Sequence, residues 1–291
     1  MQVERSRSLL IVYLALILAL LVTSLIIVLP VDYNYYVLSS SDMGHSEIAS
    51  QNASWITSTA LLRDLDAARM LLIVARSRPL NDRELEQIVE FTSRGGIVIA
   101  YGFKEFIESL LRDLGFEATY LGIIRDPVFS KSSPLRVFVN LSEWYTTLVL
   151  DSPYTFQVSS SSSSVDLMFT AYTSMFSYID ENQNNLYDIG EPIGEFPAAY
   201  VVRIGSGFIV VICARGVFTN SVLSNNVDWL NYLAIGGRSI IIDQSEFRDS
   251  ALAYFRLLVF SPRGISPLYV LLASIIIVVV LYYVFYHESS G

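Results

Sequence analysis

Two charge-free apolar segments, residues 9–29 (LLIVYLALILALLVTSLIIVL) and 267–286 (PLYVLLASIIIVVVLYYVFY), bracket the chain. At about 1.5 Å of rise per residue, a helix over either one reaches roughly the 30 Å of a bilayer's hydrocarbon core. Whatever lies between them is then tethered at both ends. The first run is longer than a signal peptide's apolar stretch, and Leu29-Pro30-Val31-Asp32 reads as a helix stop, so the expectation is an uncleaved anchor. Arg5 and Arg7 favour a cytoplasmic N-terminus over residues 1–8. Two spans return a tail, residues 287–291, to the cytoplasm and leave residues 31–263 as one extracytoplasmic domain. The expected localisation is a two-pass cell-membrane protein, with the lipid bilayer as a partner. Two glycosylation sequons, Asn52-Ala53-Ser54 and Asn140-Leu141-Ser142, lean the same way.

Acidic residues outnumber basic ones, 28 to 19, for a formal charge of −9. That excess argues against nucleic acid as a partner. The single cysteine, Cys213, excludes an intramolecular disulfide.

The first half of the domain alternates strand and helix. Residues 35–38 read as a short strand and 55–65 as a helix. The run 70–75 (MLLIVA) is continuously apolar, as a strand buried on both faces of a parallel sheet requires. Asn81 caps the next helix and Glu84 closes a capping box. That helix carries Leu85, Ile88, Val89 and Phe91 and stops at Gly95-Gly96. Residues 96–101 (GIVIAY) form a second buried strand and 103–114 an amphipathic helix. This alternation implies βαβ units and a mostly parallel, doubly covered sheet. Residues 117–178 break the rhythm with extended segments at 137–141, 146–150 and 165–178, a β-rich insertion. The serine run 159–164 within it reads as a solvated loop. Residues 198–204 and 208–213 pair as a hairpin about Gly205-Ser206-Gly207, which lacks the following helix or Lys of a phosphate loop. Helix 222–233, strand 239–243 and helix 246–258 complete the domain.

One stretch carries a sharper chemistry. Residues 180–191, DENQNNLYDIGE, place oxygen-bearing side chains at positions 1, 3, 5, 9 and 12, the ligand spacing of an EF-hand-type loop. Asp180, Asn182, Asn184, the Leu186 carbonyl, Asp188 and Glu191 are the candidate ligands, and calcium is the expected cofactor. Asn185 replaces the usual glycine at position 6, as one of the residues that best tolerate positive φ. The competing reading is an Asn/Asp-rich surface turn.

The stretch LLIVARSRPLNDRELEQIVEFTSRGGIVIAYG, together with DENQNNLYDIGEPIGEFPAAYVVRIGSGFIVVICARGVFTNSVLSNNVDWLNYL, resembles an uncharacterised, archaeal-type prokaryotic family of membrane-anchored domains of unknown function. That family is similar to class I glutamine amidotransferases in its flavodoxin-like core. In its second block a Phe-Thr-Asn turn, here Phe218-Thr219-Asn220, opens a helix. The resemblance covers most of residues 35–245 and implies an α/β fold of the flavodoxin-like, glutamine amidotransferase-like type, with one transmembrane helix at each end. True amidotransferases set a Cys nucleophile on a strand-to-helix elbow, backed by His and Glu. Here that elbow reads Tyr101-Gly102-Phe103. The histidines are His45, in an early loop, and His287, beyond the second apolar segment.

The remaining candidates each have a plain structural reading. Cys213 lies beside Arg215, whose charge would favour a thiolate, but it also fits a buried strand end. Asp243 and Glu246 stand at a strand's C-terminal edge, where α/β folds place ligands, but also suit a helix start. The sequence thus points to a non-catalytic binding or assembly module of a membrane complex, partnered by a permease or an ATPase and stapled by calcium. The alternative is a hydrolase or a small-molecule receptor with a pocket at the C-terminal edge of the sheet, near Tyr101, Cys213 and Asp243.

Overall fold

The computed structural model describes residues 33–260 apart from 52, 131–132, 134–135, 142–145, 161–164 and 236, together with residues 14, 17, 18, 276, 279 and 283. A short helix α1 (Ser46–Ser50) and strand β1 (Ser54–Ile56) lead through a 3-10 turn (Thr59–Asp64) to β2 (Met70–Arg76), α2 (Asp82–Ser93), β3 (Ile97–Gly102) and α3 (Lys104–Asp113). Eight strands follow: β4 (Phe116–Arg125), β5 (Arg136–Leu141), β6 (Thr146–Ser160), β7 (Asp166–Thr173), β8 (Tyr178–Asp180), β9 (Pro197–Ile204), β10 (Gly207–Ile212) and β11 (Ala214–Gly216). Then come α4 (Leu223–Leu233), β12 (Ser239–Asp243), a 3-10 turn (Ser245–Asp249) and α5 (Ala251–Phe260).

The strands form one 12-stranded sheet in the order β1-β12-β2-β3-β10-β9-β7-β5-β6-β4-β8, with β11 beside β6. From β1 to β10 all neighbours run parallel. From β9 onward every pairing is antiparallel. This corrects the expected fold class: the sheet is mixed and strand-rich, not a mostly parallel flavodoxin-like or glutamine amidotransferase-like core with an insertion. The reason lies in the connections. Parallel neighbours need a crossover, supplied where helices separate strands; between β4 and β11 no α-helix intervenes among the described residues, and direct returns make antiparallel pairs.

The expected flanking spans are also corrected. Among the described residues no helix is long and apolar enough to cross a membrane. The 12 residues of α2 would rise only about 18 Å. The segments 9–29 and 267–286, and the short tails 1–8 and 287–291, lie outside the described residues. The expected two-pass, extracytoplasmic localisation is corrected with them.

Where the apolar run is continuous, the strand is central. β2, β3 and β10 are buried along almost their whole length on both faces. One face packs Leu72, Val74, Val98, Ala100, Ile209 and Val211 against Ile88 and Phe91 of α2 and Phe106, Ile107 and Leu110 of α3. The capping box of α2 is formed: the Asn81 side chain accepts from the Glu84 amide, and Glu84 from the Asn81 amide. β6 is long enough to serve three neighbours, β5 through Thr146–Asp151, β11 at Asp151 and Pro153, and β4 through Tyr154–Ser160. It bends between the β5 and β4 segments at Ser152, whose φ is +52°.

Two expected elements differ. Residues 35–38 make turns rather than a strand, and Tyr35 has φ +62°. Residues 55–65 divide into β1 and a 3-10 turn, because Ile56 continues the parallel pairing opposite Asp243 before the chain can coil. Asp32–Phe247 form one compact unit. Helix α5 belongs to a second, within which the Tyr254 amide bonds the Ser250 carbonyl.

Candidate functional site

The C-terminal edge of the parallel strands is where an α/β sheet usually holds a ligand. Here much of that edge is filled by the protein itself. Arg76, at the end of β2 and fully buried, donates from Nε and Nη2 to Asp243 Oδ2 at 3.1 and 2.6 Å. Its Nη1 and Nη2 reach Glu84 Oε2 and Oε1 at 2.9 and 3.1 Å. Ser245 Oγ accepts from Arg76 and donates to Glu84 Oε1. The second oxygen of Asp243 accepts the Ser245 amide at 3.0 Å. Burial would raise the Glu84 carboxyl, but the guanidinium beside it wins and holds it below its usual range. Gly102 allows this closure: its φ is +152°, and a Cβ there would sit 2.1 Å from the Arg76 carbonyl oxygen.

Beside this cluster, residues 33–45 form a strap. Gln244 clamps it, accepting from the Val37 amide at 3.1 Å and donating to the Tyr35 carbonyl at 2.9 Å. Tyr35 and Tyr36 are fully buried, and the Tyr35 hydroxyl donates to the Arg215 carbonyl at 2.9 Å. His45 Nε2 shares a 2.6 Å hydrogen bond with the Tyr101 hydroxyl at the end of β3. Burial drives the His45 pKa down to about 3, against a smaller opposing pull from the Tyr35 backbone. The Phe218-Thr219-Asn220 turn holds the strap from the other side. Asn220 Nδ2 donates to the Ser39 and Ser41 carbonyls at 3.0 and 2.8 Å, and its Oδ1 accepts the Glu47 amide at 3.0 Å. Phe218 stacks on Trp229 of α4 with ring centroids 5.6 Å apart.

An open cavity remains next to this filled edge. A pocket of about 410 Å³ lies where the end of β3 turns into α3, walled by β4, the bend of β6, β11 and the loop after β8. Phe103, Lys104 and Glu105 come from the helix start, Tyr120, Ile123 and Arg125 from β4, Ser152 and Tyr154 from β6, and Gln183 and Arg215 from the far side. The Arg215 guanidinium lies 4.2 Å over the Phe103 ring, and Lys104 Nζ lies 4.9 Å over that of Tyr120. Tyr154 is buried and donates to the Gly102 carbonyl at 2.9 Å, and burial holds its phenol protonated well above the ordinary range. Arg125 is committed inward: Nε stands 3.3 Å from Asp180 Oδ2, and Nη2 donates to Asn185 Oδ1 at 2.9 Å.

The loop 180–191 joins this pocket through Gln183 and Arg125. Its side-chain oxygens are taken up by its own N–H groups. Asp180 Oδ1 and Oδ2 accept the Asn184 and Asn185 amides at 3.1 and 3.0 Å. Asn182 Oδ1 accepts the Asn184 amide, and Asn184 Oδ1 accepts the Leu186 amide. Asp188 Oδ2 accepts from the side-chain amides of Asn182 and Asn184. Glu191 accepts the Glu181 and Asp188 amides. Gln183 and Asn185 take positive φ, +62° and +64°. Among the described residues no group of three or more His, Cys, Asp or Glu side chains is gathered to hold a metal ion. This corrects the calcium-binding expectation: the acidic and amide groups order the turn itself.

The other candidates are separated. Cys213 is fully buried in the core between the Ala198 carbonyl, which accepts its amide, and the Tyr154 amide, and burial pushes its thiol well up, away from thiolate. Asp243 and Glu246 do not face each other as an acid–base pair. Asp243 holds Arg76, while both Glu246 oxygens accept the Ser77 amide at 3.1 and 3.2 Å. Burial raises the Glu246 carboxyl. Asn140 is exposed on β5, and Asn52 lies outside the described residues. Lys104, Arg125, Tyr120 and Tyr154 escaped sequence reasoning, because the fold brings them together from three separate elements.

No protein-family model matches the sequence, and no curated protein does. Among solved structures, the mmIFT52 N-terminal domain is similar at 14% identity and a TM-score of 0.41, over 62% of this chain and 81% of that one. A β-galactosidase from Bacillus circulans sp. alkalophilus is similar at 10% identity and a TM-score of 0.32, over 56% of this chain but only 23% of the enzyme. A putative ThuA-like protein from Bacteroides uniformis is similar at 11% identity and a TM-score of 0.30, over 72% and 76% of the two chains. At these scores the likenesses carry no functional argument.

Proposed function

We propose that this protein is a non-catalytic ligand-binding module whose pocket lies at the C-terminal edge of β3. The observation that carries the reading is the pocket itself: about 410 Å³ at the β3–α3 junction, with an aromatic wall and a few polar groups at its rim. That size and lining suit a small molecule. The position is also the one where a parallel strand feeding a helix presents a ligand site. Two further observations favour binding over turnover. The strand end beside the pocket reads Tyr101-Gly102, and the Tyr101 hydroxyl is spent on His45. Cys213, the chain's thiol, faces the core.

Ligand-observed NMR fragment screening on the full chain tests this, with Gln183→Trp as the comparison, an exposed rim position chosen to fill the mouth without touching the core. Fragments should bind the native chain, lose their signal with Gln183→Trp, and be recovered chemically unchanged. Fragments that bind both forms alike, or a screen without binders, would overturn the reading.

A further inference from the structure

We infer that the ligand is an anion carried on a flat ring, its phosphate or carboxylate group held by Arg215 and Lys104 and its ring laid against Tyr120 and Tyr154. This rests on the binding reading above and names the class of molecule that the pocket takes.

Charge is the first argument. The chain is acidic overall, at −9, yet the pocket lining holds three cations, Lys104, Arg125 and Arg215, against one carboxylate, Glu105. A cleft of opposite sign to its surroundings concentrates counter-charged solutes.

The three cations are not equivalent. Arg125 is buried, neutralised by Asp180 and bonded to Asn185, so it contributes shape rather than free charge or free donors, and the anion falls to the other two. Arg215 is exposed and forms no carboxylate ion pair among the described residues. Its guanidinium rests over the Phe103 ring, a cation–π contact that leaves its N–H donors available. Lys104 pairs only loosely with Glu105, at 3.9 Å between exposed groups. Such a pair is weak in water and yields readily to a ligand.

The backbone adds to this. Helix α3 begins at the pocket rim, and its N-cap is Phe103, which supplies no side-chain acceptor for the first-turn amides. Those amides and the positive end of the helix dipole favour an anion alongside the two side chains. The ring follows from the wall. Tyr120 is more than a third exposed and lines the cavity beside the buried Tyr154, 6.5 Å away at 51°, and the Lys104 ammonium that lies over its ring is the one that would turn to the anion as the ligand's ring enters. Offset or edge contacts with such a ring favour a planar apolar group.

Calorimetric titration of the full chain with phenyl phosphate, benzoate, inorganic phosphate and phenol separates the terms. Phenyl phosphate or benzoate should bind at least about tenfold more tightly than either phenol or inorganic phosphate. Arg215→Gln and Lys104→Gln, both at exposed positions, should remove that preference. Rising salt should weaken only the anionic probes. Should phenol bind as tightly as phenyl phosphate, with Arg215→Gln without effect, the anion is overturned while the binding module stands. Inorganic phosphate matching phenyl phosphate would overturn the ring. If none of the four binds up to about 10 mM, the inference falls, and the fragment screen decides separately whether the binding reading falls with it.

Discussion

Arg76 Nη2 donates to Asp243 Oδ2 across 2.6 Å and so ties the end of β2 to the end of its neighbour β12 inside the protein. Both side chains are almost wholly removed from water. Glu84 brings the first turn of α2 to the same guanidinium, and the Asp243 backbone carbonyl accepts from Gln244, the residue that clamps the strap. One buried cation thus organises two strands and a helix start, and the residue following its acidic partner holds the strap. The pocket opens to the side of this cluster, at the next strand end.

Breaking that pair should be costly. Asp243→Ala leaves the Arg76 charge buried with only Glu84 against it, and the expected loss is about 3–5 kcal/mol in denaturant unfolding. The double variant Arg76→Met with Asp243→Leu removes both charges and should recover much of the stability. A single substitution costing under about 1 kcal/mol would show that the cluster is not a structural centre.

Stability should fall on the acid side of neutrality through His45. The folded protein binds this proton only near pH 3, whereas the unfolded chain binds it near the ordinary 6.5. Between those values the unfolded state carries the extra proton, so stability is complete above about pH 7 and drops by about 1.4 kcal/mol per pH unit below 6.5. Glu84, held low by Arg76, adds its own loss only below its ordinary 4.5, whereas Glu246, raised by burial, acts in the opposite sense above 4.5, where the folded state takes up its proton first. Between pH 6.5 and about 5 His45 drives the fall and Glu246 opposes it, so the His45 share is the difference between the native chain and His45→Gln, in which the fall should be lost.

Local structure near β2 and β3 was legible because it is encoded by contiguous residues. The apolar runs at 70–75 and 96–101, the capping box of Asn81 and Glu84, and the hairpin turn at Gly205-Ser206 each carry their own instruction. Sheet direction was not legible past Phe116, since hairpin or crossover depends on which strand a segment meets, and β6 meets three. The strap misled for a related reason: an apolar Tyr35-Tyr36-Val37 run looks like a strand, but burial comes from covering the sheet end rather than joining it. The pocket was hidden because its cations lie at 104, 125 and 215, with no spacing to read.

Asp180 should prove a folding residue of the loop that borders the pocket. Its two oxygens hold the Asn184 and Asn185 amides and neutralise Arg125. Asp180→Ala removes all three partners from a buried site, with an expected loss of about 2–4 kcal/mol. Hydrogen exchange should show the Asn184 and Asn185 amides opening well before the amides of β3. Unchanged protection at both would sink this assignment.

The strap should depend on Asn220, whose side chain makes hydrogen bonds to the strap at the Ser39 and Ser41 carbonyls and to the start of α1 at the Ser46 hydroxyl and the Glu47 amide. No hydrophobic term replaces them, so Asn220→Ala leaves several polar groups without partners at about 1–3 kcal/mol in total, with water satisfying those near the surface. The loss should be local. Residues 33–47 should exchange faster and be cut sooner by protease, while Phe218 keeps its stacking on Trp229 and the β2–β3 amides stay protected. Asn220→Asp retains the acceptor for Glu47 but loses the donors to both carbonyls, so it should fall close to the alanine variant. If instead the strap stays protected in Asn220→Ala while global stability drops, the Asn220 side chain supports the core, and the strap is held by Gln244, Tyr35, His45 and the backbone bonds from residues 220 and 221 to the Gly44 and Asp42 carbonyls.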